Sequence, residues 1–120
     1  MTEKSYAEQV AEAKTRIREV TAEETLKMQA ADPGVVILDV REPKEWNQLH
    51  IPDALFIPLG TLESQVEAAI PRDKKVVIYC ARGNRSALAA DIMQGMGYAD
   101  VASMSRGIIG WIDAGGDIEE

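Results

Sequence analysis

The chain has 120 residues, which is enough for one hydrophobic core and too few for two. Its hydrophobic fraction of 46% and charged fraction of 28% are those of a folded globular domain. The net charge of −7 argues against a nucleic-acid or anionic-membrane partner, because phosphate contacts need clustered Lys and Arg. No apolar run approaches the ~20 residues of a membrane span, and the charged start gives no signal peptide. We therefore expect a cytoplasmic protein.

Amphipathic helical segments alternate with short β-branched runs, which is typical of an α/β domain with a largely parallel sheet. The first helix is predicted over 6–16, and Thr21 with Glu24 has the spacing of a capping box that starts a second helix, over 21–31. Further helices are predicted over 42–48, 62–69, 85–96 and 108–114. Strands are predicted at 35–40, 54–57, 76–80 and 101–104.

Two of the predicted strands end at chemically interesting residues, Asp39 and Cys80. In an open α/β sheet, ligands bind beyond the carboxyl ends of the strands, so both residues are candidates for a site. One cysteine cannot form an internal disulfide, and one cysteine with one histidine cannot complete a Cys/His zinc site. We expect no metal and no cofactor, and Cys80 is the candidate nucleophile.

The segment after Cys80 favours an anion. A cysteine between a strand end and a helix N-terminus faces backbone N–H groups and the positive end of the helix dipole, which stabilises a thiolate over a thiol. Gly83 lets the backbone curl so that N–H groups converge, and Arg82 and Arg85 add positive charge. The alternative is that Cys80 is simply a small buried hydrophobic residue at the end of a strand.

Five ordered segments resemble the successive motifs of the rhodanese family. They are residues 38–43 (LDVREP), 50–54 (HIPDA), 79–87 (YCARGNRSA), Gly97-Tyr98 followed by Val101, and 107–111 (GIIGW). The resemblance covers roughly Ile17 to Gly116. It implies a small three-layer α/β domain with a central, mainly parallel sheet flanked by helices. On this basis we divide the chain into an N-terminal helical extension, 1–16, and a rhodanese-like domain, 17–120.

The same resemblance assigns roles to residues. Cys80 matches the nucleophile that carries a sulfur atom as a persulfide. The outer sulfur would be bound by the loop residues Ala81, Arg82, Gly83, Asn84, Arg85 and Ser86. Asp39 and Arg41 match a polar pair flanking the mouth of the site, and His50 is interpreted as a structural residue rather than a base.

Three positions depart from the family pattern. Leu49 and Asp53 stand where the family usually has glycine on either side of His-Ile-Pro, and Arg106 replaces the first glycine of a Gly-Gly pair. These changes bear on turns more than on chemistry. Arg106 also places a cation where it would bias substrate choice towards anions.

The leading hypothesis is a sulfurtransferase of the thiosulfate:cyanide type, which moves a sulfane sulfur from a donor such as thiosulfate to a thiol or cyanide through a Cys80 persulfide. Its partners would be the small sulfur donor and the thiol or cyanide acceptor. A sulfur-relay protein is a further candidate partner. One alternative is a non-catalytic or persulfide-sensing interaction module. Another is a phosphatase or arsenate reductase, but related enzymes of that kind have five residues between Cys and Arg, whereas Cys80 and Arg85 enclose four.

Overall fold

A computed structural model describes residues 3–120 as six α-helices and five strands. The elements are α1 (Tyr6–Arg16), β1 (Arg18–Val20), α2 (Ala22–Ala31), β2 (Val36–Asp39), α3 (Pro43–Gln48), β3 (Leu55–Phe56), α4 (Leu62–Ala69), β4 (Val76–Tyr79), α5 (Asn84–Gly95), β5 (Val101–Met104) and α6 (Gly107–Asp113). The predicted helices and strands are all present, and each of their bounds agrees to within one residue. Within residues 3–120, no helix has both the length and the apolar character to cross a membrane.

The five strands form one parallel sheet in the order β1-β5-β4-β2-β3. Because all strands are parallel, their carboxyl ends meet at the same edge, and the loops that follow β2, β4 and β5 converge there. Strand β4 is central and all four of its residues are buried. Cys80 therefore follows the most enclosed strand of the domain. The predicted α/β class with a mainly parallel sheet is confirmed.

Strand β1 was not predicted. It is only three residues long, lies at the edge of the sheet, and buries Val20 alone. Its pairing partner is β5, with Val20 opposite Met104. A single buried residue gives no periodic signal in the sequence. The strand is instead defined by its pairing with β5, which lies far along the chain.

Apolar side chains cover both faces of the sheet, which makes the domain three-layered. On one face, Leu38 and Ile78 pack with Met93 of α5 and Val66 of α4. On the other face, Ile37, Val77, Tyr79 and Met104 pack with Trp111 of α6 and with the residues that begin α2. Strands buried on both faces explain the continuous apolar runs in the sequence.

Helix α1 packs against α5 rather than standing apart. Ser5 caps it through a capping box with Glu8. Its apolar face buries Val10 and Ala13. Arg16, its last residue, forms two hydrogen bonds, of 2.8 and 2.9 Å, with the carboxylate of Asp91. The segment predicted as an extension is thus joined to the core by apolar contacts and by an ion pair.

Candidate active site

Cys80 lies directly beyond the carboxyl end of β4 and is 1% exposed. Its backbone carbonyl accepts a hydrogen bond of 2.9 Å from the N–H of Ile108 in α6. The cysteine is therefore fixed between the central strand and the first turn of α6. Burial alone would fit a merely hydrophobic cysteine, so the contacts of the sulfur decide how the residue is interpreted.

Backbone donors surround the Cys80 sulfur. The N–H of Gly83 donates to Sγ at 3.1 Å, and the N–H of Ser86 donates at 3.4 Å. The hydroxyl of Ser86 lies 3.5 Å from Sγ. Donors that converge on one atom favour negative charge there. The sulfur lies in a cradle (the backbone from Cys80 to Ser86) whose N–H donors point at it.

Gly83 is required by both the conformation and the packing of this cradle. Its φ is 99°, in the left-handed region that side chains rarely adopt. A Cβ atom at this position would also collide with the carbonyl oxygen of Ser105 in the β5–α6 turn. Gly107, at the start of α6, approaches the loop from the other side, and a Cβ there would collide with the backbone of Cys80 and Ala81.

Ser86 is held in turn by a strand residue. Its hydroxyl lies 2.7 Å from the hydroxyl of Ser103 in β5, and both residues are fully buried. A buried hydroxyl needs a partner because an unpaired polar group in an apolar interior is costly. The pair fixes the Ser86 side chain beside the sulfur. Ser86 was predicted to bind the outer sulfur, but its contact with Ser103 was not predicted.

Arg85 turns to α3 rather than to the sulfur. Its two terminal nitrogens bond the two carboxylate oxygens of Glu45 at 2.7 and 3.0 Å. The hydrogen bond from Arg85, partly opposed by burial, lowers the pKa of Glu45 to about 2, and the same bond raises the pKa of Arg85. This bidentate pair anchors the far end of the cradle to α3.

Asp39 and Arg41 form a buried ion pair. Asp39 is 0% exposed and Arg41 is 4% exposed. The Arg41 guanidinium bonds the Asp39 carboxylate at 2.8 Å and donates to the carbonyl of Leu49 at 2.7 Å. Burial works against the charge on Arg41, but the bonds and charge of Asp39 raise its pKa overall. The buried ion pair connects the end of β2 to the segment before β3, and its position flanking the mouth of the site stays a prediction.

The open side of the loop carries positive charge. Arg82 and Arg106 are exposed and, with Ile109, line a shallow pocket of about 150 Å³. Arg82 forms no ion pair within residues 3–120, whereas Arg106 bonds Asp113 at 2.7 Å. The two arginines bring cationic charge to the cysteine loop of an otherwise acidic chain.

His50 contacts Trp46 and Glu119 rather than the residues of the cradle. Its ring stacks on Trp46 with centroids 3.6 Å apart, and its Nδ1 lies 3.0 Å from the Trp46 carbonyl. Its backbone pairs with Glu119 near the C-terminus. These contacts are those of a structural residue.

Of the positions that depart from the family pattern, only Asp53 has a conformation that favours glycine. Its φ is 65°, whereas Leu49 has an extended φ of −166° and Arg106 a φ of −111°. Asp tolerates the left-handed region better than most residues.

Comparison with known proteins fits this geometry. The sequence profile of the Rhodanese-like domain matches residues 21–114. A sulfurtransferase of Allochromatium vinosum is 36% identical over 95 residues, which are 79% of this chain and 88% of that protein. The thiosulfate:glutathione sulfurtransferase of Saccharomyces cerevisiae is 33% identical, over 72% of this chain and 70% of its own length.

Solved structures share the fold of this chain. A Rhodopseudomonas palustris protein of unknown function, described as a possible tyrosine phosphatase, superposes with a TM-score of 0.87 at 34% identity, covering 99% of this chain and 97% of that one. A thiosulfate sulfurtransferase from Pseudomonas aeruginosa superposes with a TM-score of 0.81 at 30% identity, covering 93% of this chain and 22% of that one. The parallel sheet, the cysteine loop at its carboxyl edge and these matches together define a rhodanese-like α/β domain. The chain belongs to the rhodanese-like domain family.

Proposed function

We propose that the protein is a sulfurtransferase in which Cys80 takes a sulfane sulfur from thiosulfate and passes it to a thiol or to cyanide. The Cys80 thiolate attacks the sulfane sulfur, the S–S bond of thiosulfate breaks, and sulfite leaves with the electron pair. The acceptor then attacks the outer sulfur of the Cys80 persulfide, and the electron pair of that S–S bond returns to Sγ. No proton has to be removed by a neighbouring base if Cys80 is already a thiolate.

The observation that carries this proposal is the pair of hydrogen bonds that the N–H groups of Gly83 and Ser86 direct at Sγ. Sγ is negatively charged before the attack and again after the sulfur has been passed on, so the same donors stabilise the start and the end of the cycle. Burial of Cys80 also limits the access of oxidants to Sγ. The remaining loop amides provide the surroundings of the outer sulfur.

The R. palustris relative is described as a possible tyrosine phosphatase, so phosphate is the alternative substrate of the Cys80 loop. The loop leaves four residues between Cys80 and Arg85, and the guanidinium of Arg85 is engaged by both oxygens of Glu45. An arginine held in this way is not free to grip the oxygens of a phosphate in a bidentate manner. Both features favour a single sulfur atom over a tetrahedral oxyanion.

The test is intact-mass measurement after incubation with thiosulfate. We expect the parent protein to gain the mass of one sulfur atom, and a thiol reductant to remove it. Cys80→Ser is the matched control, because serine keeps the size and hydrogen-bonding capacity of the side chain but is a poor sulfur acceptor. It should gain no sulfur and should show no thiosulfate:cyanide activity.

Two results would contradict the proposal. A parent protein that gains no sulfur would support the non-catalytic module, and an unchanged activity in Cys80→Ser would exclude Cys80 as the carrier. Hydrolysis of an aryl phosphate by the parent, lost in Cys80→Ser, would favour the phosphatase.

A further inference from the structure

The pocket lined by Arg82, Arg106 and Ile109 adjoins the cysteine loop but lies outside the cradle. Its position is fixed by the backbone, because Gly107 presses against Cys80 and Ala81 and leaves no room for a Cβ atom. Arg106, the residue before Gly107, is therefore held at the rim of the site. We call this cavity the rim pocket.

The Arg106 side chain runs along α6 rather than over the sulfur. Its stem passes across Gly110, where a Cβ atom would lie only 2.7 Å from the Arg106 Cβ. Its guanidinium reaches Asp113, the last residue of α6, at 2.7 Å. Asp113 lies seven residues further on, which corresponds to about 10 Å along a helix. The cation is thus directed away from the reacting sulfur.

We propose that the rim pocket binds the carboxylate of a small thiol acceptor, and that Arg106 determines this preference. The inference rests on the proposed sulfur transfer. The acceptor thiolate attacks the outer sulfur of the Cys80 persulfide, the Cys80–sulfur bond breaks, and its electron pair returns to Sγ, which leaves a persulfide on the acceptor. Arg82 and Arg106 take no part in these bond changes.

The shape and charge of the pocket identify the occupant. In thiosulfate the oxygens are attached to the atom next to the sulfane sulfur, so they stay within two bonds of the reacting atom. A group that reaches Arg106 must be separated from the reacting sulfur by several bonds, as the carboxylates of a peptide thiol are. Ile109 is 37% exposed and provides an apolar wall for the intervening carbon atoms. Asp113 engages one terminal nitrogen of Arg106, whereas Glu45 engages both terminal nitrogens of Arg85, so the second terminal nitrogen of Arg106 can donate to the carboxylate of an acceptor.

The experiment measures sulfur transfer from preloaded protein to three thiols of different charge. Cys80 is loaded with thiosulfate or, as an independent route, with polysulfide, excess donor is removed, and loading is checked by intact mass. Second-order rate constants are then measured for glutathione (anionic), 2-mercaptoethanol (neutral) and cysteamine (cationic). Each variant is compared with the parent for the same thiol, which cancels the intrinsic reactivity of the thiol.

We expect Arg106→Gln to lower the rate constant for glutathione roughly fivefold, which is the effect of one exposed ionic contact. The rate constant for 2-mercaptoethanol should stay within about twofold of the parent value. Arg106→Glu should lower the rate constant for glutathione further and raise the rate constant for cysteamine. The glutathione effect should shrink at high salt, because exposed charges are screened. Arg72→Gln is the control, because Arg72 is equally exposed and ion-paired, to Glu67, but lies before β4 at the opposite edge of the sheet. It should change none of the three rates.

An unchanged ratio of glutathione to cysteamine rates in Arg106→Glu would overturn the inference. An equal fall for all three thiols would also overturn it, because Arg106 would then act on the loop rather than on charge. If the parent is loaded by neither thiosulfate nor polysulfide, the proposed function fails and the inference fails with it. If loading succeeds and only the charge preference is absent, sulfur transfer stands and the inference alone is wrong.

Discussion

At the scale of single residues, the site depends on one sulfur atom and on the backbone around it. Cys80 contributes the reacting atom, and Gly83 and Ser86 contribute the N–H groups that face it. Arginine side chains near the loop act elsewhere: Arg85 binds Glu45, and Arg106 binds Asp113. The immediate environment of the sulfur is therefore made by main-chain dipoles, which do not move when side chains rearrange.

Gly83→Ala tests this dependence on the backbone. The new methyl group would collide with the Ser105 carbonyl and would impose the left-handed conformation on alanine. We expect a loss of about 1–3 kcal/mol in unfolding free energy and a large fall in sulfur loading, because the donors to Sγ would be displaced. Urea denaturation and intact mass after thiosulfate treatment measure the two effects.

Gly115→Ala is the matched control for Gly83→Ala. Gly115 also has a positive φ, of 84°, but a Cβ atom there meets nothing within 4 Å. Gly115→Ala should lower the unfolding free energy by about 1–2 kcal/mol, from backbone strain alone. Its Cys80 should load sulfur as in the parent. Equal loading by the two alanine variants would show that the close approach of Gly83 to Ser105 does not shape the site.

At the scale of secondary-structure elements, α3 and α5 are joined by the Glu45–Arg85 pair. The Glu45 side chain is 31% exposed and that of Arg85 is 27% exposed. The hydrogen bond from Arg85 lowers the pKa of Glu45 from its ordinary 4.5 to about 2. A lowered carboxyl pKa means that the folded state favours the ionised form. The pair therefore stabilises the fold fully above the ordinary value, and this contribution disappears as the pH falls from about 4.5 to about 2.

Glu45→Gln should reveal this contribution. We expect the variant to be less stable than the parent by about 1–2 kcal/mol at neutral pH, the value of a partly exposed charge-assisted pair. The difference should vanish towards the acid end of that range. Urea denaturation of both proteins across the acid range measures it. Glu67→Gln, in an exposed pair with Arg72, should differ little from the parent at any pH. A stability difference for Glu45→Gln that is independent of pH would rule out the ionised carboxylate as its source.

At the scale of the whole molecule, α1 and the predicted domain of residues 17–120 pack together. Val10 and Ala13 are buried, and Arg16 and Asp91 form a bidentate ion pair between α1 and α5. A helix of eleven residues is marginal by itself in water, so its order comes from this packing. Helix α5 begins directly after the cysteine loop, and α1 therefore supports the helix on which the cradle is built.

Val10→Asp tests whether α1 and the rest of the chain unfold as one unit. A carboxylate forced into this apolar contact should cost about 3 kcal/mol, which lowers the melting temperature by roughly 10 °C. The transition should remain single and cooperative, and loading of Cys80 should persist at a temperature where the variant is folded. Ala11→Asp, at an exposed neighbouring position, is the control and should melt as the parent does. Two separate transitions in the parent would show that α1 is an independent extension.

Much of the fold follows from the sequence because its signals are local. The continuous apolar runs that became β2 and β4 predict strands buried on both faces, and Thr21 with Glu24 forms the predicted capping box. The order of strands and helices is sufficient to predict a parallel sheet whose carboxyl edge carries Asp39 and Cys80. Strand β1 escaped prediction because it is short, exposed and defined by its partner β5.

The sequence by itself also determined the reacting atom and its loop, because one cysteine followed by Ala-Arg-Gly-Asn-Arg-Ser is a contiguous pattern. Only the tertiary structure decided how that loop is held. Glu45 meets Arg85 across forty residues, Ser103 meets Ser86 from a neighbouring strand, and the Asp39–Arg41 pair turned out to be buried. Such contacts depend on which chain segments become neighbours when the helices cover the two apolar faces of the sheet. No local sequence pattern predicts them.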